Sequence, residues 1–524
     1  MEKFKRAFNL IIIFCLTVTS AIVLVTSVLT TVYYNMHDDN DQPFYKSENI
    51  PFLLVSMLVV FAVFLFLQKR HVLEKKRLMW AIGIVFITAY CMMLILAVKP
   101  QAVNDSKTLD NIINAFMQGD YSALTTKGGY LFIWPFQLGY VLFGEMVGRA
   151  FGPSNYFVWD VIQLISILIT VFLIYKMTDE FFGDDDVSGA AALLSMGALF
   201  FYNFATYIYG DILSMAPQTL ALFLTVLYVK RERIVYALLA APCIAAAVVL
   251  KTNCEITLIA IVMIMILSTW GNIVRSDKPA HIQADRAEDK KRLLQRVALS
   301  VFMILCVFAA KKAVDIHYMK LAGIDKIPDG SPAVSHIAMG LQESDLENGW
   351  YNGYNYRVFE DNDYDTAATA KAAKENIKER LSDFTKDPGY AAGFFLRKFT
   401  TQWADPVCIS THDLDLVSRH VEDQPALCDF LVFGKGQIAL RWIMNVFMSV
   451  CYLCVLVYLF TCYKKRIASP GEMLLLILIF GGILFHQFWE GSSRYAMRYY
   501  IYWLPFAAYG MKVLIGNIHT RGKR

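Results

Sequence analysis

Residues 99–156 read KPQAVNDSKTLDNIINAFMQGDYSALTTKGGYLFIWPFQLGYVLFGEMVGRAFGPSNY, and how this stretch is parsed decides the fold. It opens polar, with Gln101, Asn104, Asp105, Ser106 and Lys107, and closes aromatic, with Tyr130, Phe132, Trp134, Phe136 and Tyr140. After Asp105, Leu109, Ile112, Ile113 and Phe116 recur at i, i+3, i+4 and i+7, the spacing of a helix with one apolar face. That predicts a helix from Ser106 lying along a membrane surface, with Asp105 placed to cap its first turn. Gly119, Gly128 and Gly129 interrupt the pattern, and Trp134-Pro135 opens a second, aromatic helix that ends near Gly152-Pro153. Trp and Tyr are favoured where lipid meets water, so both helices are expected there.

Composition supports the setting. A chain of 524 residues that is 56% hydrophobic, 14% aromatic and only 18% charged is too apolar for an ordinary soluble globule and reads as a polytopic membrane protein. Its net charge of +4 gives no reason to expect nucleic acid as a partner. Cys451 and Cys454 form a CxxC inside an apolar run, where packing is the simpler role, and no metal-ligand spacing stands out.

Apolar runs of spanning length, roughly 17 to 25 residues, fall near 8–33, 51–68, 79–98, 157–175, 187–208, 212–229, 234–250, 254–271, 297–314, 437–461, 471–488 and 497–515. The expectation is an all-α protein with about twelve transmembrane helices. The first run follows Lys3, Lys5 and Arg6 but lacks a small-residue cleavage site, and reads as a retained anchor. The basic connections, Lys69-Arg70 with Lys75-Lys76-Arg77, Lys176, Lys230-Arg231-Arg233, Arg275 to Arg296, Lys464-Lys465-Arg466 and Arg521-Lys523-Arg524, all come out cytoplasmic if 131–151 does not cross. Both termini are then cytoplasmic. Lys311 and Lys312, at an outer end, are the exception.

The expected division is two N-terminal transmembrane helices (1–78), a transmembrane core (79–314) carrying the external loop 99–156, a small, mainly α external domain (315–436), and C-terminal transmembrane helices (437–524). Ala367 to Phe384 has a helical pattern, and Trp350-Tyr351-Asn352-Gly353-Tyr354 reads as turn-rich. The domain is small for independent stability and is expected to rest on the membrane portion. Cys408 and Cys428, on its oxidising side, are the candidates for a disulfide.

Ionisable residues gather at the outer face: Asp105, Asp211, Lys251, Glu490, Arg494 and Arg498. Each has a plain structural reading beside the chemical one. Asp105 and Asp211 are both placed to cap helices, or Asp105 to act as a general base at the water-lipid edge. Lys251 ends an apolar run, where lysine snorkels to the interface or meets an anion. Arg494 and Arg498 suit phosphate oxygens through paired hydrogen bonds, or else pair with Glu490 or ordinary headgroups. The aromatic faces of Tyr130 and Trp403 suit a sugar or acceptor, and equally suit core packing. His412 and His420 have no partners at metal spacing and read as loop histidines.

The order of an outer-face Asp after a span, an amphipathic helix, a Gly-rich break and an aromatic-Pro helix resembles the glycosyltransferase C superfamily. Within it, the chain resembles the group of protein O-mannosyltransferases and lipid A aminoarabinose transferases. The resemblance rests on Asn104-Asp105, Gln118-Gly119-Asp120-Tyr121, Gly129-Tyr130-Leu131 and Trp134-Pro135-Phe136-Gln137-Leu138-Gly139. It implies Asp105 as catalytic acid residue, Asp211 heading a later outer turn, Lys251 ending a span, and Arg494 following the penultimate span. Two spans precede the one that normally comes first, and Ser106 stands where some relatives carry a second acid.

The function this implies is transfer of a sugar from a polyprenyl-phosphate carrier to a glycan, lipid or protein acceptor on the outer face of the cell membrane, with inversion. Asp105 is the expected base, Asp211, Tyr130 and Trp403 orient donor or acceptor, and Lys251, Arg494 and Arg498 hold the lipid phosphate. No cofactor and no obligatory metal are expected. The alternatives are a transporter or flippase, for which midplane charges, broken helices and inverted repeats would be the signature, and a non-catalytic envelope scaffold.

Overall fold

The computed structural model describes residues 2–268, 282–420, 424–464 and 468–521. The described chain is helical apart from one antiparallel hairpin, Thr30–Tyr33 with Phe44–Ser47. Long Leu, Ile, Val and Phe runs form the helices because lipid offers no partner for backbone N–H and C=O groups, so each segment satisfies its own. Proline opens three of them at the first turn, in Ile50–Lys69, Pro388–Trp403 and Pro470–Phe488, where its missing N–H costs nothing. Leu54, Val55, Leu58 and Val59 on Ile50–Lys69 stay exposed, as a lipid-facing surface would.

Among the described residues, eight helices are individually long and apolar enough to cross a membrane, fewer than the twelve runs expected. The runs near 234–250 and 254–271 form the shorter apolar helices Ile234–Leu250 and Thr252–Ser268. The run 187–208 is not one rod: Asp185–Ser195 and Leu199–Thr206 meet at 54°. Its break holds Met196, Gly197 and Ala198 and no ionisable residue, unlike the broken helices of a transporter site. The last run is divided between Ser493–Tyr500, a 3-10 turn at Ile501–Trp503, and Leu504–Arg521. The basic residues Arg275, Lys465, Arg466, Lys523 and Arg524 lie outside the described residues.

The opening stretch folds largely as its pattern requires. Asn104–Met117 buries Leu109, Ile112, Ile113 and Phe116 on one face. Leu138–Phe151 has 14 residues, about 21 Å at 1.5 Å per residue, too short for a hydrocarbon core of about 30 Å. It lies against Asn104–Met117 through Gly144, where an added Cβ would strike Ile113. Asp110 ties the first helix to the next span, accepting from Ser154 Oγ at 2.9 and 3.0 Å and from Tyr156 Oη at 2.8 Å.

The helix Ile282–Ala322 runs past the expected boundary at 314, and Lys311 is paired with Glu255 at 3.0 Å. Beyond it, the region that follows has a small separate core of Leu341, Phe384 and Phe394. Its helix Thr366–Lys386 covers the expected segment, with Asp365 as N-cap. So small a core needs support, and the supports are specific. Trp350, 1% exposed, forms a parallel bridge with Gly491. Lys398 Nζ donates to Gly340 O at 2.5 Å and Trp489 O at 2.7 Å. From the other side the N-terminal hairpin straps on: Tyr34 Oη donates to Asp405 Oδ2 at 3.1 Å, and His412 Nε2 sits 3.0 Å from Asp38 O.

Cys408 and Cys428 are both buried and both free. The expected disulfide is absent: Cys408 Sγ is instead 3.7 Å from the Asp405 carbonyl oxygen it donates to.

Candidate functional site

The start of the helix Asn104–Met117 differs from its sequence reading. It begins at Asn104 with Val103 as N-cap, and the cap is built by Ser106: its Oγ accepts from Val103 N at 2.9 Å and donates to Val103 O at 2.7 Å. Asn104 takes a positive φ of 48°, which Asn tolerates better than most residues. Asp105 therefore sits inside the first turn and is no cap. Its side chain is exposed, with the positive end of the helix behind it.

The charge of Asp105 acts on four tyrosines, Tyr130, Tyr207, Tyr209 and Tyr351. Burial pushes the Tyr130 hydroxyl well up, and the charge of Asp105 adds to this. Tyr209 is raised by burial, then by Tyr130 and Asp105, and Gln137 Nε2 donates to its Oη at 2.7 Å. Tyr207 is raised by burial and lowered by Arg494, with Asp105 again contributing upward. Asp105 and Arg494 thus act on the same two hydroxyls, Tyr207 and Tyr209, with opposite sign.

The cations come from two breaks in the helical scaffold. Asp211 lies in the short helix Gly210–Leu213, and Lys251 follows Ile234–Leu250 in extended backbone. Gly210 allows these to meet, since a Cβ there would fall 2.5 Å from Leu250 O. Asp211 does not cap its turn; its Oδ2 takes Lys251 Nζ at 3.0 Å, and the ammonium rests 4.2 Å from the Tyr209 ring centre.

Arg494 and Arg498 occupy i and i+4 of Ser493–Tyr500 and so share a face. They are not equivalent. Arg494 donates from Nη1 to Tyr207 Oη at 2.8 Å, lies over the Tyr207, Tyr209 and Tyr495 rings, and leaves its Nε without a partner. Arg498, with a side chain 1% exposed, is sealed beneath. It donates from Nη2 to Gln218 Oε1 at 2.8 Å and Ser214 Oγ at 3.0 Å, with Nη1 3.8 Å from Asp211 Oδ1. Arg498 therefore braces Asp211, where the sequence reading had it gripping lipid phosphate.

Glu490 accepts from Tyr495 Oη at 3.0 Å, and burial, against the pull of Tyr495 and Arg494, raises its carboxyl to about 7. Trp403, 2% exposed, packs near Phe399 and Tyr499 in the core; it presents no open face to a sugar. Tyr207, Tyr209, Gln137 and Asp413 join the site without having been singled out from sequence. The signal available for the tyrosines was Tyr207-Ile208-Tyr209-Gly210-Asp211, two aromatics in register before the acid. For Asp413 it was the pair Asp413 and Asp415 beside His412. Among the described residues no three His, Cys, Asp or Glu side chains are grouped to hold a metal ion. An open apolar groove lined by Ala21, Ile22, Val25, Leu396 and Arg397 involves none of these residues.

The arrangement combines an exposed carboxylate with two partly buried cations, Lys251 and Arg494, whose charge Asp211 only partly offsets, a setting for an anion beside a group that can take a proton.

Residues 139–284, a little over a quarter of the chain, match the family described as Dolichyl-phosphate-mannose-protein mannosyltransferase. This is a glycosyltransferase C family, in line with the resemblance read from 104–139, and the matched stretch includes Asp211 and Lys251. No curated protein matches the chain. Among solved structures, the chain is similar to ArnT from Cupriavidus metallidurans bound to undecaprenyl phosphate, at 11% identity and a TM-score of 0.32, covering 82% of this chain and 77% of that one. The same enzyme in the apo state gives 10% identity and 0.31, covering 83% and 77%.

Proposed function

We propose, from the premise of a glycosyltransferase C family match, that the protein moves a sugar from a polyprenyl-phosphate carrier to an acceptor hydroxyl on the outer face of the membrane. The observation that carries this reading is the pairing of an exposed, uncapped Asp105 with the Lys251 and Arg494 cations around a shared set of tyrosines.

In the proposed reaction Asp105 takes the proton of the acceptor hydroxyl as that oxygen attacks the anomeric carbon. The new C–O bond forms as the bond from the anomeric carbon to the phosphate oxygen breaks, with inversion. The electron pair leaves on the polyprenyl phosphate. Lys251 and Arg494 stabilise that growing charge where water is scarce, while Asp211, braced by Arg498, holds Lys251 in place. Tyr130 stands beside Asp105 to orient donor or acceptor. Because protein cations can carry the leaving phosphate, no step calls for a metal ion, and activity is expected to survive chelator. Both termini are proposed to be cytoplasmic, with 323–434 facing outward; the short Leu138–Phe151 helix supports that count, since a crossing there would invert every later basic loop.

The test is transfer from labelled polyprenyl-phosphate sugars by the purified protein in lipid nanodiscs. Transfer by wild type and its loss in Asp105→Asn is the expected result; a wild-type rate in that variant would overturn the base assignment.

A further inference from the structure

Asp413 and Asp415 stand two residues apart on Ser410–Ser418, and the fold treats them differently. Asp415 is fully partnered: it accepts from His37 N at 2.6 Å and from Arg419 Nε and Nη2, each at 2.7 Å. Asp413 is 5% exposed, and its Oδ2 has no hydrogen-bond partner. A buried carboxylate oxygen left unpaired is costly and calls for a reason.

Tyr34 joins the two segments: its ring lies 6.0 Å from that of His412, the residue before Asp413, and its hydroxyl 2.8 Å from Ser493 Oγ, the residue before Arg494. The cation acting on Asp413 is Arg494, and the carboxylates acting on it are Asp41, Asp211 and Asp405. Arg494 also has an orphan, its Nε–H. Among the described residues no ion pair within 4 Å joins the two side chains. An unsatisfied acceptor and an unsatisfied donor thus stand in one electrostatic neighbourhood without closing on each other. A group that both donates and accepts would satisfy both, and a sugar hydroxyl has one O–H to give and lone pairs to receive. A phosphate diester oxygen has no proton to offer Asp413 Oδ2 and would leave that acceptor unpaired.

We propose that Asp413 positions the sugar of the lipid-linked donor: its Oδ2 accepts from a ring hydroxyl whose oxygen takes the free Nε–H of Arg494. The proposal rests on the donor reading given above and assigns the sugar end of that donor, with the phosphate left to Lys251 and the remaining donors of Arg494. Asp413 is a positioning residue and exchanges no proton with the reacting atoms.

The experiment measures binding of bare polyprenyl phosphate, and of polyprenyl phosphate carrying mannose, glucose, galactose or arabinose, to the full chain in nanodiscs. Wild type is expected to bind at least one sugar-bearing lipid more tightly than the bare lipid. Asp413→Ala is expected to weaken that lipid by about tenfold, the loss of one hydrogen bond, and to leave the bare lipid unchanged. Asp413→Asn, whose amide oxygen accepts the same hydrogen, keeps most of the affinity and covers the case in which the alanine variant fails to fold. Equal loss for both lipid types in either variant would mean that Asp413 only anchors Arg494, and overturns the proposal, as does no loss at all in the alanine variant. A wild type that binds bare lipid but prefers no sugar overturns this inference alone; one that binds none of the lipids overturns the donor reading with it.

Discussion

Lys251 Nζ meets Asp211 Oδ2 at 3.0 Å with side chains only 12% and 5% exposed, so the two charges share a site that neither could occupy alone at low cost. Arg498 adds a second cation 3.8 Å from the same carboxylate. Removing Asp211 as Asp211→Ala leaves two buried cations facing each other, and is expected to destabilise the protein by about 3–5 kcal/mol. Lys251→Met in that background is expected to recover part of the stability and none of the transferase activity. Thermal unfolding in detergent reads the first effect and sugar transfer the second; a double variant less stable than Asp211→Ala would contradict the pairing.

Asp105 gives the opposite pattern. It is exposed and caps nothing, whereas the neighbouring Ser106 builds the cap. Asp105→Asn is expected to lower transfer by about 10²–10⁴-fold with stability within about 0.5 kcal/mol of wild type. Ser106→Ala is expected to cost about 1 kcal/mol. Unfolding curves for the two variants, measured beside their transfer rates, separate the roles.

Those two residues also show what the sequence could and could not reveal. The amphipathic period after Asp105 was enough to place Asn104–Met117 and its buried face, because burial of Leu109, Ile112, Ile113 and Phe116 leaves one solution. The cap was misread by two residues, since Asp and Ser are both good caps and only the backbone decides between them. Lys251 and Asp211 were both singled out, yet their contact depends on Gly210 approaching Leu250 O, a tertiary event with no local signature. Arg494 and Arg498 are identical by residue type and separated by one helical turn. Which of them is sealed in the core was settled by Gln218 and Ser214, distant in sequence and bonded to Arg498. The bend at Met196–Ala198 escaped notice because the apolar run continues through it.

Glu490 supplies a pH prediction. Its carboxyl is raised from 4.5 to about 7, chiefly by burial, so the folded state binds a proton that the unfolded state has released between those values. Stability from this group is fully present below about pH 4.5 and is lost as pH rises through 7. Asp413, raised from 3.8 to about 7 by burial, acts in the same direction. Melting temperature is expected to fall between pH 5 and 8 less steeply in Glu490→Gln than in wild type. An unchanged slope in that variant would show that Glu490 is ionised throughout.

None of the ten cysteines is in a disulfide among the described residues, Cys408 and Cys428 included. Mass measurement after thiol alkylation in denaturant, without reductant, is expected to show ten adducts. A pair protected until reductant is added would show that two of these cysteines are cross-linked after all. The contact of Cys408 with the Asp405 carbonyl would then have to be broken.

Arg494 is held by Tyr207 through a 2.8 Å hydrogen bond and by three aromatic rings, an arrangement suited to a planar guanidinium and poorly to an ammonium. Arg494→Lys keeps the charge but loses the fork and the stacking, and is expected to weaken binding of polyprenyl phosphate by about tenfold or more. Tyr207→Phe keeps the ring and removes only the hydroxyl acceptor, so a smaller loss of about threefold is expected, within the range of one modest hydrogen bond. The order of the two variants is the decisive reading. If Tyr207→Phe were the more damaging, the hydroxyl itself would be meeting the ligand, and the phosphate grip would have to be reassigned from Arg494 to the tyrosine and Lys251.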